Sequence, residues 1–192
     1  CRQHETVLPL RRPHQSFAAY PLATALAGIA ESIGQLASHL EPETAAYQIG
    51  LTYTYMLPSG YRSAQGIYYT PPVLTERLIH LATETGIDWA SCRVLDPACG
   101  GGAFLAPIAK RIIRELPECS PRILLENIAT RLRGYEIDPF GAWLAQIALD
   151  IVLLPFSAIA GKKTPNLVAL CDSLQKNPPR ERFDLVIGNP PY

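Results

Sequence analysis

The sequence predicts a doubly wound parallel α/β sheet of Rossmann-like type, incomplete at its carboxyl end and preceded by a helical extension. Three observations carry this. From residue 66 onward, short apolar runs alternate with helical stretches, the pattern of strand–crossover–strand units that build a parallel sheet. The turn after the first run, Asp96-Pro97-Ala98-Cys99-Gly100-Gly101-Gly102, is glycine-rich and opens a helix, which lets backbone approach a ligand closely. Before residue 66, apolar positions recur at helical spacing instead,. The chain therefore divides into 1–65, the helical extension, and 66–192, an α/β domain cut short after its fourth strand.

Taken in order, residues 1–14 are polar, are punctuated by Pro9 and Pro13, and read as a loop,. From Pro21, apolar positions recur at Leu22, Leu26, Ile29, Ile33, Leu36 and Leu40, marking an amphipathic helix that Pro42 ends,. A second helix covers Pro42 to Met56, before a Pro58-Ser59-Gly60 turn,. These two should pack as a pair on the neighbouring domain. Thr70 is placed as N-cap and Pro71 as first residue of the next helix,. Arg93-Val94-Leu95 is the first strand. The helix after the glycine turn sets Phe104, Leu105, Ile108, Ile112, Ile113 and Leu116 on one face, opposite Lys110, Arg111 and Arg114, until Pro117 stops it. A short helix at Ile123–Arg131 leads to the strand Leu132–Ile137. The helix Phe140–Leu154 has Asp150 as its only ionisable residue, so it should be buried under partners such as the front helices. Strands Asn166–Leu170 and Phe183–Ile187 complete the pattern, the last ending in Asn189-Pro190-Pro191-Tyr192.

At 192 residues the chain accommodates one sizeable α/β domain,. Four basic and four acidic residues precede Gly66 and thirteen of each follow it. Neither part has the cationic excess of a self-sufficient nucleic-acid binder. The five cysteines include no CxxC pair and are odd in number, so neither a metal nor a disulfide framework is expected, and a reduced cytoplasmic compartment fits. No uninterrupted 18-residue apolar run and no charged-then-apolar leader occurs, so no membrane partner is expected. A start at Cys1 and a motif at the last residue read as a piece of something longer.

Ligands of open α/β sheets bind at the carboxyl ends of the strands, where the informative residues lie. The dinucleotide fingerprint G-x-G-x-x-G needs glycine at position 105, where Leu105 stands,. Asp96 within the turn would also repel a pyrophosphate; it suits a cation such as the ammonium of a methionine moiety. Glu136, ending the second strand, can accept from ribose hydroxyls, and Asp172, after the third, from an adenine amino group. Three carboxylates at three strand ends suit S-adenosylmethionine, which has two cationic groups and no phosphate. For Asp96 and Asp172, turn capping is the competing role. Upstream, the Thr70 hydroxyl and nearby N–H groups stand where a helix N-terminus would take the methionine carboxylate. The terminal motif pairs an amide and an aromatic ring with two prolines, which cannot continue the sheet and leave carbonyls to face a pocket.

Together these residues resemble the N6-adenine DNA methyltransferases of restriction-modification systems, in the style of fused restriction-modification and type I modification-subunit enzymes. Gly-Ile-Tyr-Tyr-Thr-Pro-Pro at 66–72 is similar to the upstream cofactor motif of that family, and Leu95 to Leu105 to its glycine-rich motif. Gly134-Tyr135-Glu136-Ile137-Asp138-Pro139 resembles the ribose-binding segment, Cys171-Asp172-Ser173-Leu174 the adenine-binding one, and Asn189-Pro190-Pro191-Tyr192 the catalytic one. The resemblance implies cofactor contacts from Tyr69, Thr70, Asp96, Ala98, Gly100, Gly102, Glu136, Ile137, Asp172 and Ser173. It implies catalysis by Asn189, Pro190, Pro191 and Tyr192: the Asn189 amide oxygen and Pro190 carbonyl accept from the adenine amino group, and Tyr192 stacks on the flipped base. Ser173 departs from the aromatic residue that family members often carry there.

The expected partner is DNA, read by a recognition region that this chain lacks, with a specificity subunit or fused recognition domain supplying it. By itself the piece should be inactive, bind DNA weakly and expose Phe183–Ile187 at a sheet edge. The rival readings are an amino-methyltransferase on RNA or protein glutamine, and a methyltransferase-like binding module without catalysis.

Overall fold

Four strands, β1 (Val94–Asp96), β2 (Leu132–Glu136), β3 (Val168–Leu170) and β4 (Leu185–Val186), pair in parallel in the order β3-β2-β1-β4. The computed structural model describes residues 11, 24–177 and 182–190. From β1 the sheet grows outward through β2 to β3, and then β4 returns to the other side of β1. That reversal of strand order is the switch point at which open α/β sheets bind ligands. It places the turn after β1 beside the segment after β4. Val94 is paired with both Leu132 and Leu185, so β1 is central and wholly buried. Among the described residues β4 is an edge, with Val186 exposed.

Seven helices are described: α1 (Thr24–Ala37), α2 (Pro42–Met56), α3 (Ser59–Gln65), α4 (Pro72–Glu84), α5 (Leu105–Glu115), α6 (Pro121–Arg131) and α7 (Pro139–Ala160). The start of the front helix expected from Pro21, Leu22 included, lies outside the described residues. Beyond it α1 does not pack as anticipated. Ile29, Ile33, Leu36 and Leu40 are all exposed, and no described element covers them. Its companion α2 does pack as predicted, against α7, α4 and α5.

Two local expectations are corrected by proline chemistry. A turn was expected at Pro58-Ser59-Gly60, but α3 begins there, because the Pro58 carbonyl takes the first helical bond from Arg62 N at 3.1 Å. Thr70 is not the N-cap of α4. The cap position belongs to Pro71, extended at φ −59° and ψ 140° as suits a residue before proline, with no side-chain cap,. Pro72 is then the first helical residue.

Helix α7 runs six residues beyond its expected end and passes through Pro155. The bond that Pro155 cannot make falls on the Ile151 carbonyl, on an exposed stretch of helix where water can serve it,. Gly161, at φ +62°, closes the helix in the left-handed conformation,. By length and composition α7 is apolar enough to cross a membrane. Here it is the central helix of the core, packed on α2, α5, α6 and β3.

The one ionisable residue of α7, Asp150, is 3% exposed. Its carboxylate pairs with Arg11 and accepts from Thr164 Oγ1 at 2.7 Å and Gln146 Nε2 at 3.0 Å. The amide oxygen of Gln146 accepts from the N–H groups of Leu167 and Val168, at 2.8 and 3.1 Å. This ties the start of β3 to α7. Around these elements, Phe104, Leu105, Ile108, Ile112, Ile128, Leu149 and Leu153 form the core.

Candidate active site

A cleft of about 520 Å³ opens at the carboxyl ends of the strands. Its walls include Tyr69, Ala98, Gly100, Glu136, Ile137, Asp172, Ser173, Asn189 and Pro190. Segments as far apart in the sequence as Tyr69 and Pro190 are therefore brought to one place. Pro191 and Tyr192 lie outside the described residues. Thr70 does not line the cleft itself but is joined to it by Asn189, whose Nδ2 donates to Thr70 Oγ1 at 3.4 Å. The hydroxyl expected to cap α4 thus meets the terminal motif.

The glycine turn earns its conformation at two points. Gly100 and Gly102 have φ of +51° and +84°, values that side chains disfavour. The Gly100 N–H donates to Glu136 Oε2 at 2.6 Å. Gly102 faces the other way: a Cβ there would lie 2.9 Å from the Ala145 Cα of α7. Gly102 is therefore a packing glycine that seats the turn on α7, and it does not line this cleft.

Asp96 is fully buried beneath the cleft. Its Oδ1 accepts from Ala98 N at 3.2 Å, while Oδ2 has no hydrogen-bond partner among the described residues. Burial raises its pKa to about 7, and the charge of Glu136 adds to the rise. Gly188, just before Asn189, lies over it; a Cβ on Gly188 would stand 2.6 Å from Asp96 Oδ1.

Glu136 is 8% exposed and already engaged by backbone. Besides Gly100, the N–H groups of Ile137 and Asp138 donate to its Oε1 at 3.0 and 2.8 Å. Burial raises its pKa against the lowering effect of these bonds. Three bonds leave about one of the four acceptor directions of the carboxylate. Asp172 does cap a turn, accepting from Leu174 N at 2.9 Å and Gln175 Nε2 at 2.8 Å, while lining the cleft.

The Tyr69 ring fills the space between α2 and the glycine turn. A Cβ at Gly50 would lie 2.3 Å from the ring, and one at Gly101 2.6 Å from it. Its buried hydroxyl has no partner among the described residues, and desolvation raises its pKa. Behind the ring lies a second cleft of about 560 Å³, between α2, α4 and α5, where Lys110 is paired with Glu41 and Glu43. It is the larger of the two, but the strand-end carboxylates and the terminal motif meet in the first.

Tyr53, Asp138 and Gly188 belong to the site without having been singled out for it. Asp138 caps α7, accepting from Gly141 N at 2.7 Å, and the Asp-Pro pair at a helix start is a legible cap signal. Tyr53, on α2, reaches Asp138 from a segment with no motif, so the sequence gives no sign of it.

A family model described as N-6 DNA Methylase matches residues 47–192. The type II methyltransferase M.CvrRI of Paramecium bursaria Chlorella virus XZ-6E is 30% identical over 131 residues, covering 68% of this chain and 25% of that protein. The chain thus spans about a quarter of the length of this curated relative. Among solved structures, a DrdV–DNA complex determined by cryoEM aligns over 69% of this chain and 13% of its own, at TM-score 0.53 and 16% identity. That likeness is one of fold. A modification subunit of a putative type I restriction enzyme from Vibrio vulnificus YJ016 aligns over 80% of this chain and 30% of its own, with 23% identity and TM-score 0.47.

Proposed function

The chain belongs to the N-6 DNA methylase family, and on that premise we propose that it is the cofactor-binding and catalytic part of an enzyme that methylates the N6 amino group of adenine in DNA, with S-adenosylmethionine as donor, within a restriction-modification system. One observation carries the proposal. The glycine turn, Glu136, Asp172 and the Asn189-Pro190 segment face a single cleft at the switch point of the sheet, with Asn189 bonded to Thr70. A cofactor site and an amide-and-carbonyl pair are what amino-group methylation requires, side by side.

The residues suit S-adenosylmethionine. About 520 Å³ is within the usual range for small-molecule sites,. The unpartnered Oδ2 of Asp96 is a buried acceptor suited to an ammonium group, Glu136 to a ribose hydroxyl, and Asp172 with Ser173 and Ile137 to adenine. When bound, the cofactor supplies an electrophilic methyl group on sulfonium.

The rest falls to the chain. An exocyclic adenine nitrogen is a poor nucleophile because its lone pair is delocalised into the ring. The Asn189 Oδ1 and Pro190 carbonyl accept its two N–H bonds, draw it towards a tetrahedral shape and turn its lone pair towards the cleft. The bond from Asn189 Nδ2 to Thr70 supports this by orienting the amide. Preorganised dipoles of this kind are worth roughly 3–4 kcal/mol each. We assign Pro191 to the same catalytic motif and Tyr192 to stacking on the flipped base. Residues 1–65 are assigned as the helical extension and 66–192 as the methyltransferase part. DNA recognition is assigned to a fused domain or a specificity subunit.

The test uses the full-length protein with methyl-labelled S-adenosylmethionine and duplex DNA. Nucleoside analysis should recover the label as N6-methyladenine. Label in RNA or on glutamine would redirect the assignment, and absence of cofactor binding would reduce the chain to a binding module.

A further inference from the structure

The helical extension carries no motif, yet α2 is bonded to the cleft at one point. Tyr53 Oη donates to Asp138 Oδ1 at 3.1 Å. Its ring stacks on Phe140, with centroids 4.1 Å apart and planes inclined by 26°. The second oxygen of Asp138 accepts from Gly141 N at 2.7 Å, and the Asp138 N–H donates to Glu136 Oε1 at 2.8 Å. Glu136 Oε2 in turn receives the Gly100 N–H at 2.6 Å. An unbroken run of hydrogen bonds thus joins α2, the first turn of α7, the carboxylate at the end of β2 and the glycine turn. Asp138 and Glu136 are only 5% and 8% exposed. In such a place a missing partner is not replaced by bulk water.

Stacking on Phe140 needs only the ring of Tyr53. The hydroxyl adds something separate, since it fixes the Asp138 carboxylate from the side opposite Gly141. Without it, that carboxylate has one fewer anchor, and the β2–α7 turn that supplies two of the three backbone donors to Glu136 is less constrained.

We propose that Tyr53 is a positioning residue of the cofactor site, acting through Asp138 to hold Glu136 in the geometry that faces the cleft. Tyr53 itself does not line the cleft. The inference rests on the reading of the cleft as an S-adenosylmethionine site, and it extends that site into the helical extension.

The experiment is a double-mutant cycle in the full-length protein, with S-adenosylmethionine affinity measured by calorimetry. Tyr53→Phe keeps the ring stack and removes the hydroxyl. It should weaken binding roughly 3- to 10-fold in the parent, yet change it by less than about 2-fold in a Glu136→Ala background, because contacts in series are not additive. A merely structural role would give equal losses in both backgrounds and would overturn the proposal, as would an unchanged affinity for Tyr53→Phe alone. If Glu136→Ala binds like the parent, the route through Glu136 is wrong although the cleft still binds cofactor. If the parent does not bind, the proposed function itself fails. Asp138→Asn is the second variant, for use if Tyr53→Phe melts early. It should reproduce the Tyr53→Phe loss, and the two together should cost no more than either one.

Discussion

Cofactor affinity should depend on pH through Asp96, and the structure sets the size of the effect. Burial moves this carboxyl from an ordinary 3.8 to about 7, so near neutrality it exchanges its proton. To pair with an ammonium it must be ionised, and below pH 7 each unit should weaken binding about tenfold. Between pH 7.5 and pH 5 the dissociation constant should rise about 80-fold. The sign for folding is separate. A carboxyl with a raised folded pKa binds protons more tightly in the folded state, so its contribution to stability is greatest in acid. That contribution declines as pH rises from about 4 to about 7, by at most about 4 kcal/mol. Glu136 and Asp138 are raised by burial too and share that sign. The assay is calorimetric titration with S-adenosylmethionine across pH 5 to 8, beside a thermal melt of the free protein at each pH. The control is Asp96→Asn, which should bind more weakly at pH 7.5 and lose most of the pH dependence. A parent profile that is flat over this range would refute the reasoning, since Asp96 would then keep its proton or make no contact with the cofactor.

Three further outcomes follow from the geometry. In the full-length enzyme Asn189→Ala should lower kcat by about 10²- to 10³-fold while leaving cofactor affinity within about 2-fold; a parallel loss of both, by single-turnover kinetics and calorimetry, would mean that Asn189 shapes the fold. Gly188→Ala puts a Cβ 2.6 Å from Asp96 Oδ1 and should cost about 1–3 kcal/mol in denaturant unfolding, with the melt unchanged if the turn can simply move aside. Arg11→Met leaves the buried Asp150 with hydroxyl and amide donors but no cation. It should cost about 3 kcal/mol by urea titration, and Asp150→Asn should recover much of that; an additive loss would show that the pair is not the cause.

Much of the fold was legible because the elements obey short-range rules. The strand runs, the amphipathic face of α5 and the Asp-Pro start of α7 each carry their own signal. Asp172, Glu136 and the glycine turn could be placed for the same reason: strand ends in a parallel sheet share one edge. What could not be read depends on side chains meeting across the chain. Thr70 looked like a cap because Pro71 suits a first helical turn, but Pro72 also competes for that position and Pro71 yields. Gly102 looked like a ligand-facing glycine, although the nearness of Ala145 follows from how α7 lies on the turn. The Arg11–Asp150 pair spans most of the chain, and nothing local to either residue announces the other. α1 shows the converse. Its apolar stripe is plain in the sequence, but a stripe does not say what will cover it.

The ring of Tyr69, held between Gly50 and Gly101, ties the histories of three segments together. Neither glycine can acquire a side chain while the ring is there, since each Cβ would fall within 2.6 Å of it. Loss of the ring would in turn leave a gap that only larger residues at those two positions could fill. A change at any of the three is therefore harmful until the others have changed, and viable relatives should differ at all of them or at none. A methylase assembled by recombination between divergent homologues, with its front helices from one parent and its cofactor turn from another, would meet this barrier at its junction.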